Sequence, residues 1–315
     1  MISVLGTGVA GLCAATALAE RGLPVEVIAP GDAPAPASHL AGGMLAPFCE
    51  GESAPPVVVS KGQASLGWWQ ARVPGVVRRG TLVVAPPRDI AELDRFARAT
   101  QGHRAVSPAD LEPELSGRFT RGLHFPDEAH MDPCAALAHL RERLVAQGVA
   151  FRDGGPRGDI VDCRGLAAAR HLPDLRAVRG EMLELSAPDV QLTRPVRLLH
   201  PRFPCYVVPR GGGRYMIGAT MVESARPGPV TARAVMELLS AAYTLHPGFA
   251  EAEVIATGAG LRPAFPDNIP ALRHAPDRTH LNGLYRHGFL MAPVLAEELA
   301  EALASPSSKD LTHAH

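Results

Sequence analysis

The chain opens "MISVLGTGVAGLCAATALAERGLPVEVIA", and this stretch constrains the fold more than any other. The apolar run "ISVL" (2–5) ends directly in "GTGVAG". Next, "LCAATALAERG" carries Leu12, Ala15, Leu18 and Ala19 at helical spacing, with Gly22 where a C-cap belongs. "PVEVIA" (24–29) then reads as a buried parallel strand. Strand, G-x-G-x-x-G, helix and strand together form a dinucleotide-binding unit. Gly6 permits the tight turn, Gly8 lets backbone approach a pyrophosphate, and Gly11 allows close helix–strand packing. Between them Val9 and Ala10 begin a helix whose free N–H groups and positive dipole end face the phosphates.

One expected part is missing. An acidic residue about 20 positions beyond the third glycine should hold the ribose hydroxyls. The count from Gly11 lands on Ala29, Pro30 and Gly31, with Asp32 just past the strand. Asp32 reaching back from the loop and Asp32 as a solvated loop residue are both open readings. No second helix and third strand follow, as a nicotinamide domain would require. Instead comes a long loop, "PGDAPAPASHLAGGMLAPFCEGE" (30–52), containing Ser38. Such a loop suits an extended cofactor lying across the domain, and FAD fits it better than a nicotinamide.

Bulk composition narrows the partners. The 31 Lys+Arg and 32 Asp+Glu give a net charge of −1 without long runs of one sign, so nucleic acid and anionic membrane are not expected. No apolar stretch reaches the ~18 residues of a membrane span, and the N-terminus does not read as a signal peptide. Five scattered cysteines without C-x-x-C suggest reduced, mostly buried thiols in a cytoplasmic protein. The 13 histidines show no metal-type spacing beyond His313 and His315 on a polar tail, expected to be disordered.

Further along, helices are expected over 60–76 (with Trp68 and Trp69), 88–101, 132–148, 231–246 and 290–304, the last amphipathic. Strands are expected at 80–86, 158–165 and 178–185, and "CYVVPR" (205–210) and "RYMIGAT" (214–220) form a hairpin around "GGG". The fold class is α/β: a Rossmann-type nucleotide-binding domain (1–60, 131–175 and 256–315) interleaved with a mainly antiparallel β-sheet substrate domain (61–130 and 176–255).

Seven motifs occur in order: "GTGVAG", "ASHLAGGMLAP", "DCRGLAA", "VRGEML", "CYVVPRGGGRYMIGATM", "GLRPAFPDNIP" and "NGLYRHGFLMAPVLA". Over nearly its whole length the chain resembles the flavin-dependent amino acid oxidases of the D-amino acid oxidase superfamily, most of all the glycine oxidases of thiamine biosynthesis. The resemblance implies noncovalent FAD and oxidation of a small amine such as glycine to the imine. Reoxidation by oxygen gives hydrogen peroxide, and the imine serves a thiazole synthase. It implies that Arg262 and Tyr206 bind the substrate carboxylate, that Met221 and Met44 line a small pocket, and that Arg286 lies near the flavin. Leu284, Tyr285, Arg286, His287, Gly288, Phe289 and Leu290 would run along the flavin ring, with Gly42, Gly43 and Met44 on another side. The segment after Phe151, "RDGGPRGDIVD", is shorter than in the family, which touches only the adenosine contacts. "YRHGF" has no cysteine for a thioether link to flavin.

Arg262 stands in "TGAGLRPAFPDNIP" (257–270), among glycines and prolines. Its planar fork can bond a carboxylate through two parallel hydrogen bonds, and Pro263 in a stiff loop would fix the approach. Hydride leaves the substrate α-carbon for flavin N5 as the amine lone pair pushes, so positioning dominates. No general base stands out, and none is required. The helix N-terminus near Gly288 is expected to stabilise negative charge at the flavin N1–C2=O edge. Alternatives are an oxidase for sarcosine, a D-amino acid or a cyclic imino acid, a nicotinamide dehydrogenase, and a non-catalytic nucleotide binder. The oligomeric state, a homo-oligomer included, is not legible.

Overall fold

The computed structural model describes residues 1–31, 35–201 and 204–305. Asp32 and the tail bearing His313 and His315 lie outside the described residues. Among the described residues the strands form two large sheets and a two-stranded link between Met44–Leu45 and Ala129–His130.

The first sheet grows from the opening unit. β1 (Ile2–Leu5) pairs in parallel with β2 (Val25–Ile28), and between them runs α1 (Val9–Glu20). The third strand that does not follow β2 in sequence arrives from far down the chain. Ala150–Arg152 extends the sheet beyond β2, and Asp159–Asp162 lies parallel to β1 on its other side. Arg278–Asn282 and Ala271–Ala275 complete the sheet. The short segment after Phe151 is therefore a turn over 153–158, anchored by a buried carboxylate in β2. Arg152 Nε donates to Glu26 Oε2 at 2.6 Å and Ser3 Oγ to Glu26 Oε1 at 2.7 Å, and the Arg152 bond chiefly holds the Glu26 carboxyl at a pKa of about 2. Val4, Val27 and Val161 of this sheet pack with Leu12 and Leu18 of α1, Leu140 of the helix Pro133–Ala146, and Leu295 of the closing helix Gly288–Ala304.

The second sheet has nine strands among the described residues and is antiparallel except where Val196–Leu198 meets Thr81–Val84. Cys205–Gly211 and Arg214–Gly218 form the expected hairpin. The helix Ala232–Leu245 covers this sheet through Leu238, Ala241 and Leu245.

Four expectations change in detail. The Arg262 stretch is not a loop: it belongs to the strand Glu253–Ala264, paired along its length with Arg176–Ser186. Its glycines serve close packing, since a Cβ on Gly258 would sit 2.4 Å from Leu40 Cδ2 and one on Gly260 3.0 Å from Leu40 Cδ1. The whole strand lies in the second sheet, although the division at 256 splits it. The 30–52 segment is not all loop, for it contains the turn Ala37–Leu40, the strand Met44–Leu45 and the short helix Pro47–Glu50. The tryptophan helix is two pieces, Pro56–Gly62 and Ala64–Gln70.

The closing helix starts at Gly288 and is not amphipathic through its first half: Phe289 to Pro293 are all buried. Pro293 cannot donate to the carbonyl of Phe289 four residues back, and the Trp69 indole N–H donates there instead at 2.8 Å. A buried acceptor thus keeps a partner, and the start of the helix is pinned to the tryptophan helix.

Candidate active site

At the glycine turn, Gly6 has φ +104° and α1 begins at Val9 with Gly8 as its N-cap. A Cβ on Gly11 would lie 2.0 Å from the Gly6 carbonyl oxygen, so helix and turn are in contact. A Cβ on Gly8 would meet Ser38 Oγ at 3.2 Å and Pro36 Cβ at 3.4 Å. A side chain at Gly8 would crowd both, so the glycine lets the 36–38 segment approach the start of α1. Val9 N donates to Ser38 Oγ at 3.0 Å, which ties the 37–40 turn to the helix start. Ala29 continues the sheet by donating to the Arg152 carbonyl at 2.9 Å, with Pro30 following. These groups suit a dinucleotide phosphate: small, amide-rich and at a helix N-terminus.

The second half of the site is a cavity of about 110 Å³ bounded by strands of the second sheet, the 41–50 segment and the start of the closing helix. Its lining includes Gly42, Gly43, Met44, Tyr206, Met221, Arg262, Arg286, Phe289 and Leu290, which brings together the two arginines expected at the site and the start of the closing helix. Gly43 has φ +66° and a Cβ there would lie 2.1 Å from the Met131 carbonyl oxygen. Arg210 fastens the same bend, donating to the Met131 carbonyl at 2.9 Å and the Ala41 carbonyl at 3.1 Å. Tyr206 is pressed between two glycines: a Cβ on Gly42 would come within 2.8 Å of its ring, and one on Gly218 within 2.9 Å. Burial pushes its hydroxyl pKa up, so it stays a donor at neutral pH.

Arg262 lies across the strand pair. Its guanidinium rests over Gly180, where a Cβ would be 2.2 Å from Cζ. Nη1 donates to the Thr220 carbonyl at 3.1 Å. Among the described residues it forms no ion pair, and the carboxylate of Glu181, next to Gly180, is engaged by Arg179 (3.1 Å), the Thr220 hydroxyl (3.0 Å) and the Thr231 amide (2.9 Å). Burial lowers the Arg262 pKa, with Tyr206 and Tyr285 acting the other way. An arginine stays cationic under such a shift, so the cavity contains a desolvated positive charge without a carboxylate.

The Leu284–Leu290 segment is stitched to the same strand. Tyr285 N donates to the Pro263 carbonyl at 2.7 Å, Leu284 bridges Ala264, and Tyr285 takes φ +47°. Arg286 is not free like Arg262. Its Nη2 lies 2.8 Å from Glu50 Oε2 and donates to Ser53 Oγ, while Nη1 and the Tyr285 hydroxyl each approach Met221 Sδ at 3.5 Å. His287 Nδ1 is 3.3 Å from the same Glu50 oxygen, and burial lowers its pKa to about 4, leaving it neutral. Burial pushes the Glu50 carboxyl up, but the Arg286 and Arg197 guanidiniums outweigh it and hold the pKa below the usual carboxylate range.

Glu50, Arg197 and Gly180 belong to the site and are absent from the sequence reading. Gly180 was visible only as one letter of "VRGEML". Glu50 offered no more than a carboxylate in the apolar run "APFCE". Their importance follows from cross-strand neighbours, which spacing does not reveal.

The sequence pattern of the DAO family, FAD dependent oxidoreductase, matches residues 1–302. A Rhizobium etli protein named as a thiamine biosynthesis oxidoreductase, ThiO, is 52% identical over 313 residues, covering 96% of each chain. The iminodiacetate oxidase of Chelativorans sp. BNC1 superposes with TM-score 0.82 at 24% identity, over 98% of this chain and 96% of that one. The glycine oxidase of Geobacillus kaustophilus does so with TM-score 0.79 at 24% identity, over 96% and 94%. Both structural likenesses speak for the fold. A family pattern that runs almost end to end, and a relative identical at more than half of its positions, mean that the chain belongs to the FAD dependent oxidoreductases as a ThiO-like amino acid oxidase with FAD as its cofactor.

Proposed function

We propose that the protein oxidises glycine, or an amine of similar size, and that the imine formed supplies the thiazole of thiamine. The observation that carries this reading is Arg262, a desolvated cation without a carboxylate in a small cavity walled by Met44 and Met221. A monocarboxylate bonded in parallel by its fork, with the Tyr206 hydroxyl as a further donor, removes that imbalance. The residues of the glycine turn and the Leu284–Leu290 segment would hold FAD noncovalently. When bound, FAD supplies the hydride acceptor for the substrate α-carbon and, with oxygen, hydrogen peroxide. The chain's own task is orientation: Arg262 and Tyr206 fix one end of the substrate, and the methionines limit its bulk. The first turn of the closing helix lines the cavity, so its dipole end is directed at charge developing there. The name of the Rhizobium relative supports the link to thiamine, and with it a thiazole synthase as the receiving partner. No helix among the described residues is long and apolar enough to cross a membrane, and we place the enzyme in the cytoplasm.

The test is anaerobic addition of glycine, sarcosine and D-proline to the yellow holoenzyme, followed by its visible spectrum. Glycine should bleach it fastest. Arg262→Ala should retain FAD and lose roughly 10²–10³-fold in kcat/KM, as for a buried ion pair deprived of one partner. Bleaching by D-proline alone would move the substrate to cyclic imino acids.

A further inference from the structure

Among the described residues three guanidinium groups line the cavity, and their pairing divides them. Arg197 Nη2 lies 2.6 Å from Glu52 Oε2, and Arg286 Nη2 lies 2.8 Å from Glu50 Oε2. Arg262 forms no ion pair among the described residues. We infer that Glu50, by neutralising Arg286, is a specificity-determining residue that restricts the cavity to amines bearing a single carboxylate. The inference rests on the amine-oxidising reading above and names its substrate class.

The reasoning is a charge balance in a desolvated space. A carboxylate enters such a cavity only where an uncompensated cation meets it. Arg262 meets one. A second carboxylate would face Arg286 already bound to Glu50, and taking Arg286 away would strand a mostly buried Glu50 without its main partner. Among the described residues, the other charged and titratable groups packed here leave this balance in place. His287 touches the same Glu50 oxygen but is a neutral imidazole. Glu52 is shared between Arg197 and the half-exposed Arg95, at 2.6 and 2.7 Å. Glu128, which accepts from the Cys49 amide beside Glu50 at 2.7 Å, is pushed up to about 7 by burial, so below that pH it carries little negative charge. Arg286 is aimed at the cavity wall by Met221 as well as by Glu50 and Ser53, so removing the Glu50 charge leaves a second unpaired guanidinium near where substrate sits. Exclusion of dicarboxylates is specificity by repulsion, built from one carboxylate.

The test compares wild-type and Glu50→Gln holoenzyme on glycine, sarcosine and iminodiacetate by peroxide formation. Iminodiacetate is glycine with a second carboxymethyl group on nitrogen, and sarcosine controls for nitrogen substitution without the second charge. In Glu50→Gln the iminodiacetate-to-glycine ratio of kcat/KM should rise by about tenfold or more, with the sarcosine-to-glycine ratio little changed. A further Arg286→Gln change should cancel the gain, which a merely structural role for Glu50 would not produce. An unchanged iminodiacetate ratio alongside continuing glycine turnover overturns the inference. A second arm needs only wild type: acetate should compete with glycine at least about tenfold more tightly than malonate. Malonate binding as well as acetate overturns it too. If wild type neither oxidises glycine nor binds acetate, the amine-oxidising reading itself fails and takes this inference with it.

Discussion

Arg262 and Gly180 form a pair that neither residue type announces alone. The guanidinium lies flat only because the neighbouring strand has no side chain at that point; a Cβ there would be 2.2 Å from Cζ. Gly180→Ala should therefore displace Arg262 while leaving the distant glycine turn untouched. The KM for glycine should rise by about tenfold or more with FAD content unchanged, measured by steady-state peroxide formation and the flavin-to-protein absorbance ratio. A normal KM would mean that the arginine does not need its resting place. Tyr206 follows the same logic, since Gly42 and Gly218 leave room for its ring from both sides. Glycines here make space for large side chains rather than turns.

At the level of elements, the site depends on two helix beginnings. α1 starts against the glycine turn so closely that a Cβ on Gly11 would lie 2.0 Å from the Gly6 oxygen. Gly11→Ala should force helix and turn apart and yield protein without FAD. The measurements are a lost yellow colour on purification and loss of the rise in Tm that excess FAD gives wild type, a rise that reflects about 2.7 kcal/mol of added stability at a hundredfold excess over Kd. The closing helix begins with a proline-orphaned carbonyl that Trp69 satisfies. Both tryptophans of the sequence are thereby tied to this helix, because Trp68 Nε1 also donates to Glu297 Oε1 at 2.7 Å. The glycine turn was legible in sequence because its three glycines are local to one another. The tryptophan contact was not, since it joins residues 220 positions apart.

For the whole molecule, stability carries a pH signature from Glu128, a buried carboxyl beside the site. Burial raises its folded pKa from an ordinary 4.5 to about 7. Between those values the unfolded chain has lost the proton and the folded chain still holds it, so stability falls as pH rises through that window and levels off above about 7. Once both states are ionised the cost is on the order of 3 kcal/mol. Glu128→Gln should match wild type in denaturant unfolding near pH 4.5 and exceed it by roughly that amount at pH 8. A gap that stays constant with pH would assign the carboxyl another charge state. Below about pH 7 the same burial that makes Glu128 costly keeps it protonated beside Glu50 and the Glu50–Arg286 pair.

By itself the sequence determined the dinucleotide unit, the α/β class, the hairpin and the kinship with amine oxidases. Each of these is written in local periodicity or in short motifs whose chemistry needs neighbouring residues. It pointed to Arg262, Tyr206 and the two methionines through resemblance, without saying what surrounds them. Only the tertiary structure decided that Arg262 forms no ion pair among the described residues while Arg286 is matched by Glu50, and that the Arg262 stretch is a strand laid over Gly180. Charge compensation in a cavity is a sum over groups brought together from separate parts of the chain. Residues 50, 197, 262 and 286 acquire their mutual electrostatics only when the second sheet, the 41–50 segment and the start of the closing helix close around one space.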